Sequence, residues 1–196
     1  MRYAVPMAWD TAATRQALLD AGARQFAERG CAGARMDATG ADAGVNKERV
    51  YQYFGNKRGL FDAVLPDRLG DLLGAAHAPS PGSGAAGIAA YAGVLFDRFA
   101  ERPELARLLA WESLELDGAA DAAARTARCA SQADVLASAL PGLSPATAQQ
   151  LLLSIVTLCA GWWTLARVSE MVAPGSDAPA RRAVLVTQAE ALARAA

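Results

Sequence analysis

From Met36 to Phe54 the chain runs Met36-Asp37-Ala38-Thr39-Gly40-Ala41-Asp42-Ala43-Gly44-Val45-Asn46-Lys47-Glu48-Arg49-Val50-Tyr51-Gln52-Tyr53-Phe54, a spacing that few backbones satisfy. Gly40 stands four positions before Gly44, and Val50 six positions after it. Two short helices crossing at a steep angle need a small residue, a turning residue and a core-filling residue at such places. Gly44 suits the turn because positive φ is easiest for glycine. Asn46 is a good N-cap for the helix that follows. The run therefore predicts a helix-turn-helix, with one helix over about Met36 to Ala43 and a second over Lys47 to Tyr53. A motif of this geometry presents its second helix to the major groove of double-stranded DNA.

The remainder predicts an all-α chain. Of its 196 residues, 53% are hydrophobic, and Ala, Leu, Arg and Glu, which favour helices, recur throughout. The longest apolar stretch, Leu151 to Ala166, is interrupted by Ser154, Thr157 and Thr164. That falls short of the roughly 20 residues a membrane helix needs, so no membrane partner is expected. Met1 to Pro6 shows no apolar signal-peptide core. Cys31, Cys129 and Cys159 are widely spaced, form no metal pattern and leave one unpaired. A reduced, cytoplasmic setting follows, with no metal and no cofactor. The net charge of -1 divides unevenly: residues 1–60 carry nine basic and six acidic side chains, and residues 61–196 ten basic and fourteen acidic. The only two lysines, Lys47 and Lys57, fall in the basic part. A basic module on an acidic body suits phosphate-backbone binding beside a part that does not touch DNA.

About nine helices are expected. The first spans Thr11 to Arg29, capped by Asp10 or Thr11 and stopped by Gly30, with Leu18, Ala21, Gly22 and Phe26 facing inward. A fourth starts near Asn56 and passes Leu65, with Pro66 as a kink or an interruption. Residues 78–84 form the clearest linker. Helices follow over Ala85 to Glu101, from Pro103, over Ala119 to Leu140, from Ser144 to about Met171, and over Ala178 to Ala195.

The N-terminal run closely resembles the tetracycline-repressor-like (TetR/AcrR) family of transcriptional regulators. The matching residues include Phe26-Ala27-Glu28-Arg29-Gly30, Ala43-Gly44-Val45-Asn46-Lys47, Val50-Tyr51-Gln52-Tyr53-Phe54 and Asn56-Lys57. The Tyr-x-Tyr-Phe run followed by a lysine is specific, and the likeness covers about residues 14–65. It implies an N-terminal three-helix helix-turn-helix DNA-binding domain over residues 1–55, and a C-terminal helical effector-binding and dimerisation domain over 56–196. The chain departs from the family at Thr39, usually aliphatic, and at Gln25, often leucine. Both face the small core, so a less stable module is expected. Glu48 stands where a small residue is common; an acid there repels phosphate yet can accept from cytosine N4.

Lys47, Glu48 and Arg49, at the start of the second helix of the motif, are the candidate base readers. A bidentate Arg49–guanine contact is worth about 1–3 kcal/mol of discrimination. The resemblance implies that Tyr51, Gln52, Tyr53 and Lys57 hold the phosphate backbone, Lys57 aided by a helix dipole, and extends with less support to Arg35. The Tyr53 ring also fits simple core packing. Val50 and Phe54 are assigned to the core, and His77 to a solvated surface. Leu151, Leu152, Ile155, Leu158, Cys159, Trp162 and Trp163 make an apolar surface too wide for a one-sided helix. The resemblance implies that Leu151, Leu152, Ile155, Leu158 and Cys159 pair with Val184, Leu185 and Leu192 in a homodimer interface. Two recognition helices would then meet a near-palindromic operator. Phe96, Phe99, Trp111, Trp162 and Trp163 are candidate walls for an apolar small-molecule effector, and each fits core packing as well. A repressor released by such an effector is the expected function; a constitutive DNA-binding protein is the alternative. No nucleophile beside a histidine, phosphate loop or metal cluster points to an enzyme.

Overall fold

The structure, a computed structural model, describes residues 11–70, 72 and 78–196. Ten helices are present among them: α1 (Thr11–Gly33), α2 (Met36–Asp42), α3 (Lys47–Phe54), α4 (Lys57–Leu69), α5 (Gly84–Glu101), α6 (Glu104–Glu115), α7 (Ala122–Ala139), α8 (Pro145–Thr164), α9 (Ala166–Val172) and α10 (Ala178–Ala195). No strand occurs among the described residues. Asp10 and His77 lie outside them.

The helix ends follow local chemistry. Gly30 takes φ 68°, which interrupts α1 where a stop was expected. Asn46 Oδ1 accepts from the Arg49 backbone N–H at 2.9 Å and caps α3. Ser144 and Asp177 cap α8 and α10 in the same way, by accepting from Thr147 N–H and Ala180 N–H. Pro66 sits inside α4 without ending it.

One expectation fails at the long helix from Ser144. It breaks at Leu165, which leaves helical backbone (φ -110°, ψ 35°), and α8 and α9 meet at 87°. Neither glycine nor proline stands at the break, so no local punctuation marked the bend. No single helix among the described residues is long and apolar enough to cross a membrane.

The chain packs as two compact units. Among the described residues, the first comprises those up to Arg68 with Trp111–Ala120; the second comprises those of Leu69–Ala110 with Asp121–Ala196. The division expected at residue 55 therefore falls later, because α4 supplies Leu60, Phe61, Val64 and Leu65 to the first core. In that core Phe26 meets Phe61 edge-on at 5.1 Å, a favoured ring geometry. The second unit has a larger apolar core built from α5, α7, α8 and α10, including Phe96, Phe99, Leu136, Ile155 and Leu185. Arg182 of α10 makes two bonds to Asp97 of α5, at 2.7 and 2.8 Å.

Candidate nucleic-acid interface

The turn between α2 and α3 is set by close approach. A Cβ on Gly40 would lie 2.9 Å from the Val45 carbonyl and 3.1 Å from Val50 Cγ2. Val45 N–H donates to the Gly40 carbonyl at 2.9 Å, and Gly44 supplies φ 71°. Val50 is fully buried against this turn. The two polar departures are accommodated. Thr39 Oγ1 donates to the Arg35 carbonyl at 3.1 Å, and Gln25 Nε2 donates to Asp42 Oδ2 at 3.1 Å. Of these two side chains, only Gln25 keeps a buried atom, Oε1, without a partner.

With Val50 inward, α3 has one outward face. Lys47, Glu48, Tyr51 and Gln52 are all exposed, two pairs at i, i+4 spacing that share a side of the helix. The Lys47 ammonium stands 5.7 Å from the Tyr51 ring centroid. Arg49 is only partly exposed, on the flank, with its guanidinium 5.9 Å from the Tyr53 ring. Sequence position put Arg49 with Lys47 and Glu48; helical geometry groups Tyr51 and Gln52 with them instead. Tyr53 is half-buried, and its hydroxyl donates to the Thr11 carbonyl at 3.3 Å. Phe54 is partly buried, with Arg15 5.8 Å from its ring.

Two further candidate phosphate contacts have partners within the chain. Lys57 Nζ donates to the Ala32 carbonyl at 2.9 Å and the Ala34 carbonyl at 3.2 Å, tying the start of α4 to the α1–α2 turn. Arg35 forms a two-bond pair with Asp37, at 3.1 and 2.6 Å. The Arg35 hydrogen bond holds the Asp37 carboxyl below its ordinary range.

Trp111, one of the expected effector walls, belongs to the first unit, whereas the other four lie in the second. Its ring lies over Gly30, where an added Cβ would come within 3.2 Å. Glu115 accepts from the Ala32 backbone N–H at 2.7 Å, and Arg58 donates to the Gly118 carbonyl at 2.8 Å. Residues 111–120 thus brace the α1–α2 turn, a role missed in sequence because nothing local joins segments more than eighty residues apart. Burial, with Glu115 adding to it, pushes the Cys31 thiol up to about 11.

Phe96, Phe99 and Trp163 do cluster in the second unit, with ring centroids 4.7 and 5.9 Å from Trp163. Trp162 is partly buried against the same core. The expected dimer residues divide. Leu151, Leu152, Ile155, Cys159 and Leu185 are buried in the unit's own core. Leu158 is partly buried against that core, while Val184 and Leu192 are exposed, joined by Leu153. The wide apolar surface of α8 is wide because most of it is interior.

The comparisons agree with this architecture. Residues 18–64 match the description "Bacterial regulatory proteins, tetR family", and residues 87–191 match "Tetracyclin repressor-like, C-terminal domain". The putative transcriptional regulator SCO4942 from Streptomyces coelicolor has a solved structure 34% identical to this chain. The likeness covers 91% of this chain and 97% of that one, with a TM-score of 0.71. The HTH-type transcriptional repressor SCO4008 of Streptomyces coelicolor is 40% identical over 106 residues, 54% of this chain and 53% of its own length. The match thus spans about half the length of that curated relative. A single-substitution variant of TetR from Acinetobacter baumannii, solved in complex with minocycline, shares the fold at 16% identity and a TM-score of 0.62, covering 91% of this chain and 93% of that one. The chain belongs to the tetR family of bacterial regulatory proteins, and it is a transcriptional regulator by that membership.

Proposed function

We propose that the chain is a dimeric repressor that binds a near-palindromic DNA operator and leaves it when a small apolar molecule binds the second unit. The observation that carries the DNA reading is the outward face of α3, where Lys47, Glu48, Tyr51 and Gln52 are exposed together on a helix locked from behind by Val50 and Gly40. Lys47 and Tyr51 supply charge and a hydroxyl. Glu48 accepts hydrogen bonds from cytosine N4, and Gln52 pairs with adenine N6 and N7. Arg49, Tyr53, Lys57 and Arg35 act at the margins. Tyr53 and Lys57 shape the unit through their backbone contacts, and the third ammonium proton of Lys57 is left for phosphate.

The dimer reading rests on Leu153, Val184 and Leu192, apolar side chains exposed on α8 and α10. A two-fold pairing through these helices would present two α3 helices to half-sites one helical turn apart. Release requires an effector with different affinities for the DNA-competent and DNA-free arrangements. That the SCO4008 relative is named a repressor supports the sign of regulation.

The test is DNA binding at fixed salt to the region upstream of the gene. Gln52→Ala or Glu48→Ala should change which operator bases are preferred, by about 1–3 kcal/mol per position. Arg49→Ala should lower affinity evenly. The reverse pattern would place Arg49 on the bases and reject this docking. DNA binding that no added metabolite weakens would leave a constitutive DNA-binding protein.

A further inference from the structure

The core of the second unit holds two polar groups that nothing in the protein satisfies. Tyr91 is 3% exposed and Gln132 is 6% exposed, and neither Tyr91 Oη nor Gln132 Nε2 has a hydrogen-bond partner. Buried polar groups in native proteins almost always have partners, and leaving one unpaired is destabilising. Two in one core call for an explanation.

They also lie at one level of the fold. Gly82, just before α5, donates to the carbonyl of Ser138, near the end of α7, at 2.9 Å. Toward the opposite end, Arg98 of α5 donates to the Leu72 carbonyl at 2.7 Å, and Arg128 of α7 to the Gly70 carbonyl at 3.2 Å. Between these ties Tyr91 lies two turns from Arg98, and Gln132 about one turn from Arg128, so each sits roughly 10 Å from the Gly82–Ser138 end at 1.5 Å per residue. The Tyr91 phenol, raised in pKa chiefly by burial, also feels the thiol of Cys129, one turn from Gln132. The two groups therefore sit at about one level of the α5–α7 packing.

We propose that this layer binds a neutral, apolar small molecule through one carbonyl-type oxygen, which accepts from both Tyr91 Oη–H and Gln132 Nε2–H. The amide nitrogen is donor-only, so the missing partner is an acceptor, and a carbonyl oxygen with two lone pairs satisfies both groups. Neutrality follows from the lining. Gln132 and Tyr91 are the buried polar side chains of this unit among the described residues, and none of the charged ones is buried. A ligand ion would lose its hydration with no counter-ion to replace it. The rest of the surroundings, Leu95, Leu136 and Ile155 among them, is apolar. This inference rests on the effector reading and names the chemistry of its ligand.

The probe is prodan, a neutral naphthalene ketone whose emission reports burial, beside its parent dimethylaminonaphthalene, which lacks the ketone. The full chain should bind prodan more tightly than the parent. Tyr91→Phe and Gln132→Met should each weaken prodan binding about tenfold and leave the parent unaffected. Each should also raise the ligand-free Tm by about 2–4 °C, because an unpaired polar group has been removed. Equal affinity for the two probes, or wild-type prodan affinity in both variants, overturns the site. A lower Tm in both variants also overturns it, since that is the mark of a structural hydrogen bond. Titrating prodan into the protein–operator complex separates the two readings. Binding without release rejects prodan-type compounds as effectors but leaves the site, whereas failed prodan binding with intact operator binding rejects the site alone.

Discussion

The two units treat buried polar groups differently. In the first, Thr39 is bonded to the Arg35 carbonyl, and Gln25 reaches Asp42 with one end of its amide. In the second, Tyr91 Oη and Gln132 Nε2 have no partner. The first unit's proposed DNA contacts, Lys47, Glu48, Tyr51 and Gln52, lie outside on α3, with Val50 and Gly40 packed behind them. The second leaves two buried donors, Tyr91 Oη and Gln132 Nε2, without a partner, and the first leaves an acceptor, Gln25 Oε1. On the proposed reading, the first unit recognises its partner through an exposed face and the second through buried donors.

Substitutions can break or sharpen that contrast. The largest effect belongs to the second core. Phe99→Ala removes a fully buried ring packed on Trp163 and should cost about 3–5 kcal/mol, measured as a lower urea midpoint. A loss below about 1 kcal/mol would mean the aromatic cluster is loosely packed. In the first unit Gly40→Ala drives a Cβ to 2.9 Å from the Val45 carbonyl. It should cost about 1–3 kcal/mol and abolish operator binding at temperatures where the second unit remains folded. Retained binding would show that the α2–α3 turn can shift. Asn46→Ala deletes the α3 cap and should cost about 1 kcal/mol, whereas Asn46→Asp should retain most of it.

An effect of similar size in each unit is alkaline. The Cys31 thiol is pushed up to about 11, and burial raises that of Cys159 to about 12. Both folded values exceed the ordinary 9.0, so the thiols favour folding fully below pH 9. That contribution is lost as pH rises towards 11 and 12. Urea midpoints should be flat from about pH 7 to 8.5 and fall above it, by about 1 kcal/mol per thiol near pH 10. In native protein at about pH 8 a thiol reagent should modify exposed Cys129 well before the two buried cysteines. Rapid labelling of all three would contradict the packing of both cores.

Much of the first unit was legible in sequence because its signals are local. Gly30 and Gly44 each turn the chain with positive φ where the helices were expected to end, and Asn46 caps where a cap was expected. The candidate DNA face was half legible. Lys47 and Glu48 are outward, but Arg49 exchanges places with Tyr51 and Gln52, because which residue faces out depends on where Val50 is buried. The second unit was less legible. Apolar residues of α8 read alike whether they face the chain's own core or a second copy, and no glycine or proline marks the bend at Leu165.

The amino-acid sequence by itself determined most of the helices, though not the α8–α9 break, together with the Asn46 cap, the α2–α3 turn and the family, since each depends on residues within a few positions of one another. Tertiary structure alone decided that Trp111 and Glu115 brace the α1–α2 turn, that Lys57 holds the Ala32 and Ala34 carbonyls, and that Leu151, Ile155 and Leu185 are interior. It alone brought Tyr91 and Gln132 to one level with their polar atoms unpaired. Those outcomes depend on contacts between distant segments, and whether a hydrogen bond is met or left open exists only once the chain has packed.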